Sequence, residues 1–309
     1  MKKKSKPLRL QLDEVGGQTK LIVILGPTAS GKSAMAVKLA KKFNGEIVSA
    51  DSRQVYKGMD IGTGKVTKKE MQGVPHYLLD VVSPKRKFTV AQYQKLAIEA
   101  VNIVLERGKT PFLAGGSPFY IYSVVEGWLF PKLKPDWKLR KKLEKKSASE
   151  LFEILKKLDK NRAKTIEAKN KRRLIRAIEV CKKLGEVPEL KKFSQFNCLL
   201  IGIKKSPEEL KILIKKRLLK RFREGMVAEV RKLRKSGLSW KRLEELGLEY
   251  RWIARYLQKK ILYKKMVENL QKDIEKFARR QMTWFKRDSR IHWIKSQKEA
   301  EKLIKKFLK

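Results

Sequence analysis

Residues 26–33, GPTASGKS, carry the clearest chemistry in the chain, because they fit the phosphate loop G-x-x-x-x-G-K-[ST] at every fixed position. Gly26 and Gly31 allow the backbone to curl through Pro27, Thr28, Ala29 and Ser30, so that the loop's N–H groups turn inward toward an anion. Lys32 adds a mobile positive charge, and Ser33 offers a hydroxyl to Mg²⁺. The motif identifies an anion and not a reaction; alone, it reads as an ATP site. A second polar cluster follows at Asp51-Ser52-Arg53-Gln54. Asp51 could act there as a metal ligand, a general base or a helix N-cap, while Ser52 and Gln54 can donate and accept hydrogen bonds. Gly115-Gly116-Ser117 forms a third small polar group. Arg172, Arg173 and Arg176 stand at helical spacings, with Arg173 and Arg176 on one face, as either a solvated surface or a grip on phosphates.

The elements that must position these groups are readable from periodicity. The apolar run over 21–25 predicts a short buried parallel strand, and 34–43 continues as an amphipathic helix whose N-terminus aims at the loop. Strands are expected over 45–50, 76–82, 111–114, 197–203 and 291–294, and helices over 90–107, 207–224, 226–235, 249–258, 263–286 and the C-terminus. The Asp51 and Ser117 clusters each follow a strand directly, where open parallel sheets place their ligands. From about residue 127 the texture turns charged and β-poor, with helices expected near 136–146, 148–158, 161–168 and 170–184. The organisation is therefore α/β, a P-loop NTPase-like parallel sheet core (20–126 and 196–309) with a helical insertion domain (127–195) and a loose basic tail over 1–19. His76 reads as a structural, hydrogen-bonded histidine. The basic residues around Trp284 and Phe285 read equally as a nucleic-acid face or as charges outside a core helix.

Lysine and arginine total 77 against 32 acids, a formal charge of +45. Such a field favours a polyanionic partner, most commonly nucleic acid, and equally steers phosphorylated small substrates. Two cysteines, Cys181 and Cys198, and two histidines exclude a zinc finger and give no disulfide framework, so a reducing cytoplasm is the expected compartment. No apolar run is long enough to span a bilayer.

GPTASGKS, DSRQVYKGMDIGTGK, GVPHYLLDVVSP, AGGSPFYI, RRLIRAIEV, KRFREGMVAEV and ARRQMTWFKRD, in that order, resemble the tRNA dimethylallyltransferase family, the tRNA isopentenyltransferases of bacteria and organelles, over about residues 20–294. The resemblance implies transfer of a dimethylallyl group from dimethylallyl diphosphate to the exocyclic 6-amino group of the adenosine immediately 3′ of the anticodon. It also inverts the default reading of the phosphate loop, which in this family holds the diphosphate of the prenyl donor. By the same match Asp51 is the general base, Ser117 assists the leaving oxygen, Arg217 reaches the diphosphate, and Ser52, Arg53 and Gln54 hold the flipped adenine and its neighbours. Arg140, Arg172, Arg173 and Arg176 match tRNA contacts in the insertion, and Mg²⁺ on Ser33 is the implied metal. The implied partner is the tRNA anticodon stem-loop, met by a monomer with no membrane attachment. Two departures stand out: Ser117 where the family usually has threonine, which keeps the hydroxyl, and Leu-Glu-Tyr over 248–250 where it usually has Ile-Gly-Tyr. Rival readings are a P-loop small-molecule or nucleotide kinase and a catalytically silent RNA-binding protein.

Overall fold

In the computed structural model, which describes residues 19–131 and 133–309, the chain divides into two compact units. The basic tail expected over 1–19 lies outside the described residues except for Thr19, which already belongs to the first strand.

The first unit comprises residues up to Gly127 together with Ser194–Lys309. It runs β1 (Thr19–Leu25), α1 (Lys32–Lys42), β2 (Gly45–Ala50), α2 (Lys68–Met71), β3 (His76–Tyr77), α3 (Val90–Glu106), β4 (Thr110–Gly115) and α4 (Pro118–Val125). The second unit, Trp128–Phe193, holds α5 (Trp137–Glu144), α6 (Ala148–Leu158), α7 (Lys160–Thr165) and α8 (Lys171–Leu184). The first unit resumes with β5 (Phe196–Ile203), α9 (Pro207–Arg223), α10 (Met226–Lys235), α11 (Trp240–Leu246), α12 (Leu248–Leu257), α13 (Tyr263–Phe285), β6 (His292–Ile294) and α14 (Gln297–Leu308).

Among the described residues the six strands form one parallel sheet, in the order β3-β2-β4-β1-β5-β6. The central strand explains its own composition: Leu21 to Leu25 are fully buried, as a parallel strand covered by helices on both faces requires. Ala36, Val37, Leu39 and Ala40 of α1 pack with Ala300 and Ile304 of α14 on a core that includes Ile22, Ile24, Phe112 and Ile201. The register fixes the site. Leu25 of β1 and Ala50 of β2 both pair with Gly115 of β4, so the chain leaves these three neighbouring strands at one edge of the sheet. The phosphate loop, Asp51 and Ser117 follow at that edge, where ligands of open parallel sheets bind.

One expectation fails for a local backbone reason. The strand over 76–82 shrinks to His76–Tyr77, because Leu78 and Asp80 take left-handed φ values of 63° and 56°. The chain then returns only as a single parallel bridge between Val82 and Tyr56. Residues 240–246 form a separate helix, α11, capped by Ser239 and parted from α12 by Gly247 at φ 76°.

The second unit is a small helical body. Leu143, Leu151, Leu155, Leu174, Ile178 and Cys181 form its core, drawn from α5, α6 and α8. Val180 is buried as well.

Candidate active site

The phosphate loop joins β1 to α1, with Gly31 in the left-handed region as N-cap (φ 87°). Lys32 and Ser33 open α1, so the helix dipole and free N–H groups face the same space as their side chains. Lys32 Nζ donates to the Pro27 carbonyl at 3.2 Å, folding the lysine back across the loop. Thr28, Lys32, Ser33, Asp51, Gln54 and Arg217 line one cavity, together with Gln281. His76 reaches its wall as well, but its Nδ1 lies 2.8 Å from the Val74 carbonyl and burial lowers its pKa, which fits a structural histidine.

Positive charge is concentrated here at a cost. Burial lowers the pKa of Lys32 from 10.5 to about 8, aided by the neighbouring Arg217 charge and opposed by Asp51. Burial likewise brings Arg217 down to about 10, with Arg221 acting in the same sense and Glu249, Asp51 and Glu70 opposing. An arriving diphosphate would relieve both cations, which makes the cavity a preformed anion site.

Asp51 is half committed. Its Oδ1 accepts hydrogen bonds from the backbone N–H of Arg53 at 2.8 Å and of Gln54 at 3.3 Å. This is the cap-type arrangement that sequence left open beside the general-base role, and it fixes the carboxylate so that Oδ2 is held in place for other work. Below the end of β2, Tyr93 donates to the Ser49 carbonyl at 3.0 Å and stacks on Tyr120 with ring centroids 3.8 Å apart. Ser117 Oγ accepts from Ser52 N–H at 2.9 Å, which leaves its own hydroxyl proton available to another acceptor. Gln54 is less free than its chemistry suggests, since Nε2 already donates to the Gly64 carbonyl at 3.2 Å. Arg53 Nη1 donates to the Ser52 carbonyl at 3.2 Å.

The Asp60–Gly64 loop closes one side. Arg217 Nη2 donates to the Gly64 carbonyl at 3.2 Å, and a Cβ at residue 64 would sit 2.1 Å from that nitrogen, so only glycine lets the arginine approach. Glu229 grips the same loop, accepting from the N–H groups of Asp60, Ile61 and Gly62 at 2.8, 2.6 and 3.1 Å, while the Tyr250 hydroxyl donates to it at 2.8 Å.

Gln281 of α13 is a residue that motif reading missed. Its Oε1 accepts from Thr28 N–H at 2.8 Å and its Nε2 donates to the Gly116 carbonyl at 2.5 Å, tying the phosphate loop to the loop after β4. A Cβ at position 116 would meet that Nε2 at 2.6 Å. The available signal was a lone polar residue on the buried stripe Leu270, Ile274, Ala278, Phe285. Gln281→Leu should leave both backbone groups unpaired, lowering stability by about 2–3 kcal/mol and donor kcat/KM about tenfold. Urea unfolding beside steady-state kinetics measures both. The neighbouring aromatics separate: Phe285 is fully buried in the core, and half-buried Trp284 lies 5.0 Å from Phe119 with Arg287 over its ring.

In the second unit, the arginines do not form one open phosphate face. Arg140 makes two bonds to Glu179, at 2.8 and 2.6 Å, and Arg176 bonds the same carboxylate. Arg173 pairs with Glu167 at 3.2 Å, and Arg172 is exposed. Burial opposes ionisation of Glu179, yet the hydrogen bonds from Arg140 and Arg176 hold its carboxyl down to about 2. Glu179→Gln should therefore destabilise this helical unit by about 2–4 kcal/mol, since two cations lose a buried partner. Denaturation followed by the fluorescence of a reporter confined to Trp128 and Trp137 is the check.

Residues 54–288 match the family model described as IPP transferase. The tRNA dimethylallyltransferase of Carboxydothermus hydrogenoformans is 41% identical over 300 residues, covering 94% of this chain and 96% of that relative. The chain belongs to the IPP transferase family. A second relative, the tRNA dimethylallyltransferase of Acetivibrio thermocellus, is 40% identical over 297 residues, covering 92% of this chain and 95% of its own length. Among solved structures, the tRNA isopentenylpyrophosphate transferase of Bacillus halodurans is similar at 32% identity with a TM-score of 0.69, covering 94% of this chain and 95% of its own. A eukaryotic dimethylallyltransferase captured acting on tRNA aligns at 26% identity and a TM-score of 0.76, over 86% of this chain and 69% of its own. The IPP transferase match begins at Gln54 and does not include the phosphate loop or Asp51.

Proposed function

We propose that this chain transfers the dimethylallyl group of dimethylallyl diphosphate to the exocyclic 6-amino group of the adenosine 3′-adjacent to the anticodon of tRNA, releasing diphosphate. The single observation that carries the reading is that one cavity presents a carboxylate, Asp51, together with two half-buried cations, Lys32 and Arg217, whose charge desolvation opposes. That pairing suits a reaction in which a proton leaves a nucleophile while negative charge grows on a leaving diphosphate.

The adenine amino lone pair is delocalised into the ring, so its protons become acidic only as the bond to carbon forms. The N6 lone pair forms the new bond to the prenyl C1, the C1–O bond breaks, and its electron pair goes to the diphosphate. Asp51 accepts the proton that N6 sheds. The Ser117 hydroxyl donates to the departing oxygen, its Oγ already held by Ser52 N–H. Lys32, Arg217 and the phosphate-loop N–H groups that open α1 hold the diphosphate throughout. Ser52, Arg53 and Gln54 contact the adenine, which must be flipped out of the anticodon loop to reach the cavity. Arg140, Arg172, Arg173 and Arg176 belong to a helical unit that contacts tRNA phosphates, with exposed Arg172 as its most available guanidinium.

Among the described residues no group of three acidic, histidine or cysteine side chains forms a metal cage. Ser33, at the cavity wall, supplies one hydroxyl oxygen, which fits Mg²⁺, an ion that keeps waters and takes the rest of its ligands from phosphate oxygens. Bound there, the ion supplies neutralising charge to the diphosphate. No helix among the described residues is long and apolar enough to cross a membrane.

Mass spectrometry of tRNA after incubation with dimethylallyl diphosphate and Mg²⁺ tests the reading: a dimethylallyl mass increment on that adenosine supports it. Label entering tRNA only from ATP, or ATP hydrolysis without prenylation, would return the phosphate loop to a kinase.

A further inference from the structure

Arg217 and Arg221 stand one turn apart on α9; Arg221 is buried, Arg217 is half-buried at the cavity wall, and each donates to a carbonyl of the Asp60–Gly64 loop. Two like charges so placed repel, and something must offset them. Glu249, at the start of α12, lies 2.9 Å from Arg221 Nη1, with side-chain exposures of 8% for the arginine and 11% for the glutamate. The same Nη1 donates to the Gly62 carbonyl at 2.7 Å. Two residues on, the Gly64 carbonyl receives Arg217 and Gln54. Arg221 Nε is buried without a hydrogen-bond partner, and Nη1 is held by Glu249 and the Gly62 carbonyl.

We propose that Glu249 is a positioning residue for prenyl transfer: it neutralises Arg221, so that the charge of Arg221 does not push Arg217 away from its aim at the donor diphosphate. The proposal rests on the transfer reading above. The charged groups facing Arg217 are Arg221 on α9, Glu249 on α12, Asp51 after β2 and Glu70 on α2, with Lys32 on α1 across the cavity. Of the three carboxylates, Glu249 is the one bonded to Arg221. Without it, a buried and uncompensated guanidinium lies beside Arg217.

The test uses the full chain with tRNA and dimethylallyl diphosphate as substrates. Glu249→Gln should raise the KM for dimethylallyl diphosphate about tenfold, leave the KM for tRNA within twofold and change kcat less than threefold. Glu249→Asp should stay within threefold of wild type for the donor. The double variant Arg221→Gln/Glu249→Gln removes both charges and should bring the donor KM back to within threefold, which a purely structural strut would not do. A single variant with an unchanged donor KM, or a double variant no better than the single, overturns the proposal. Should Glu249→Gln not fold, the Asp and double variants decide it: both near wild type supports charge compensation, and a double variant with a donor KM tenfold higher overturns it. Absence of transfer by the wild type in the same assay would count instead against the transferase reading.

Discussion

Asp51→Asn lowers kcat for prenyl transfer by about 10²–10⁴ while leaving tRNA affinity within about twofold. Asparagine is the informative choice because Asp51 does two things. Its Oδ1 accepts from Arg53 N–H at 2.8 Å and Gln54 N–H at 3.3 Å, and the asparagine carbonyl can keep both. What disappears is the negative charge and the basic oxygen, not the turn that presents Ser52, Arg53 and Gln54. Alanine would remove both and confuse base chemistry with loop collapse. A second readout follows from the charge. Asp51 raises the pKa of Lys32 against the effects of burial and Arg217, so its loss moves that pKa below about 8. The alkaline fall in donor kcat/KM should then begin at lower pH than in the wild type. Single-turnover rates across pH, beside tRNA binding isotherms, test both; a rate within tenfold of wild type would remove Asp51 from the base role.

The parts of this site that were legible in the sequence are those encoded by adjacent residues. The phosphate loop declares itself because its strand, glycines, lysine and helix are contiguous, and Asp51 and Ser117 were placed by the rule that parallel strands end at the ligand edge. What escaped was held from far along the chain. Gln281 lies 253 residues from Thr28 and 165 from Gly116, and no local pattern announces such a bridge. Glu229 looks like an ordinary helix-surface acid until the fold brings it to the Asp60–Gly64 loop, and Glu249 stands out in the sequence only as a departure from the family pattern, with nothing to show that it meets Arg221. The arginines of the helical unit show the converse: their spacing was read correctly as helical, but Glu179, three residues beyond Arg176, claims two of the guanidinium groups and Arg140 arrives from another helix. Strand 76–82 failed because left-handed Leu78 and Asp80 cannot be seen in an apolar run, and the payoff for that bend is the 2.5 Å pair of Asp80 with buried Lys65.

Lys32→Met should abolish nearly all transfer and at the same time make the protein more stable. The loss follows from removing a preorganised charge at the leaving diphosphate, worth about 10²–10³ in kcat/KM for the donor. The gain follows from linkage. The pKa of Lys32 is 10.5 unperturbed and about 8 in the folded chain, so protonated lysine opposes folding. The penalty is fully present below pH 8 and fades as pH rises toward 10.5, where the unfolded chain also gives up its proton. Allowing for the partial exposure of the side chain, methionine should add about 2 kcal/mol at neutral pH. It should also lose the rise in stability that the wild type shows between pH 8 and 10.5. In the same window wild-type donor kcat/KM should fall as Lys32 deprotonates, and Lys32→Arg, if it binds donor at all, should not show that fall. Urea unfolding of the two proteins at pH 7 and pH 10 separates this account from a merely structural one: a methionine variant less stable than wild type at pH 7 would mean that the Pro27 carbonyl contact outweighs the buried charge. Greater stability with transfer lost places Lys32 among residues kept for the reaction against the interest of the fold.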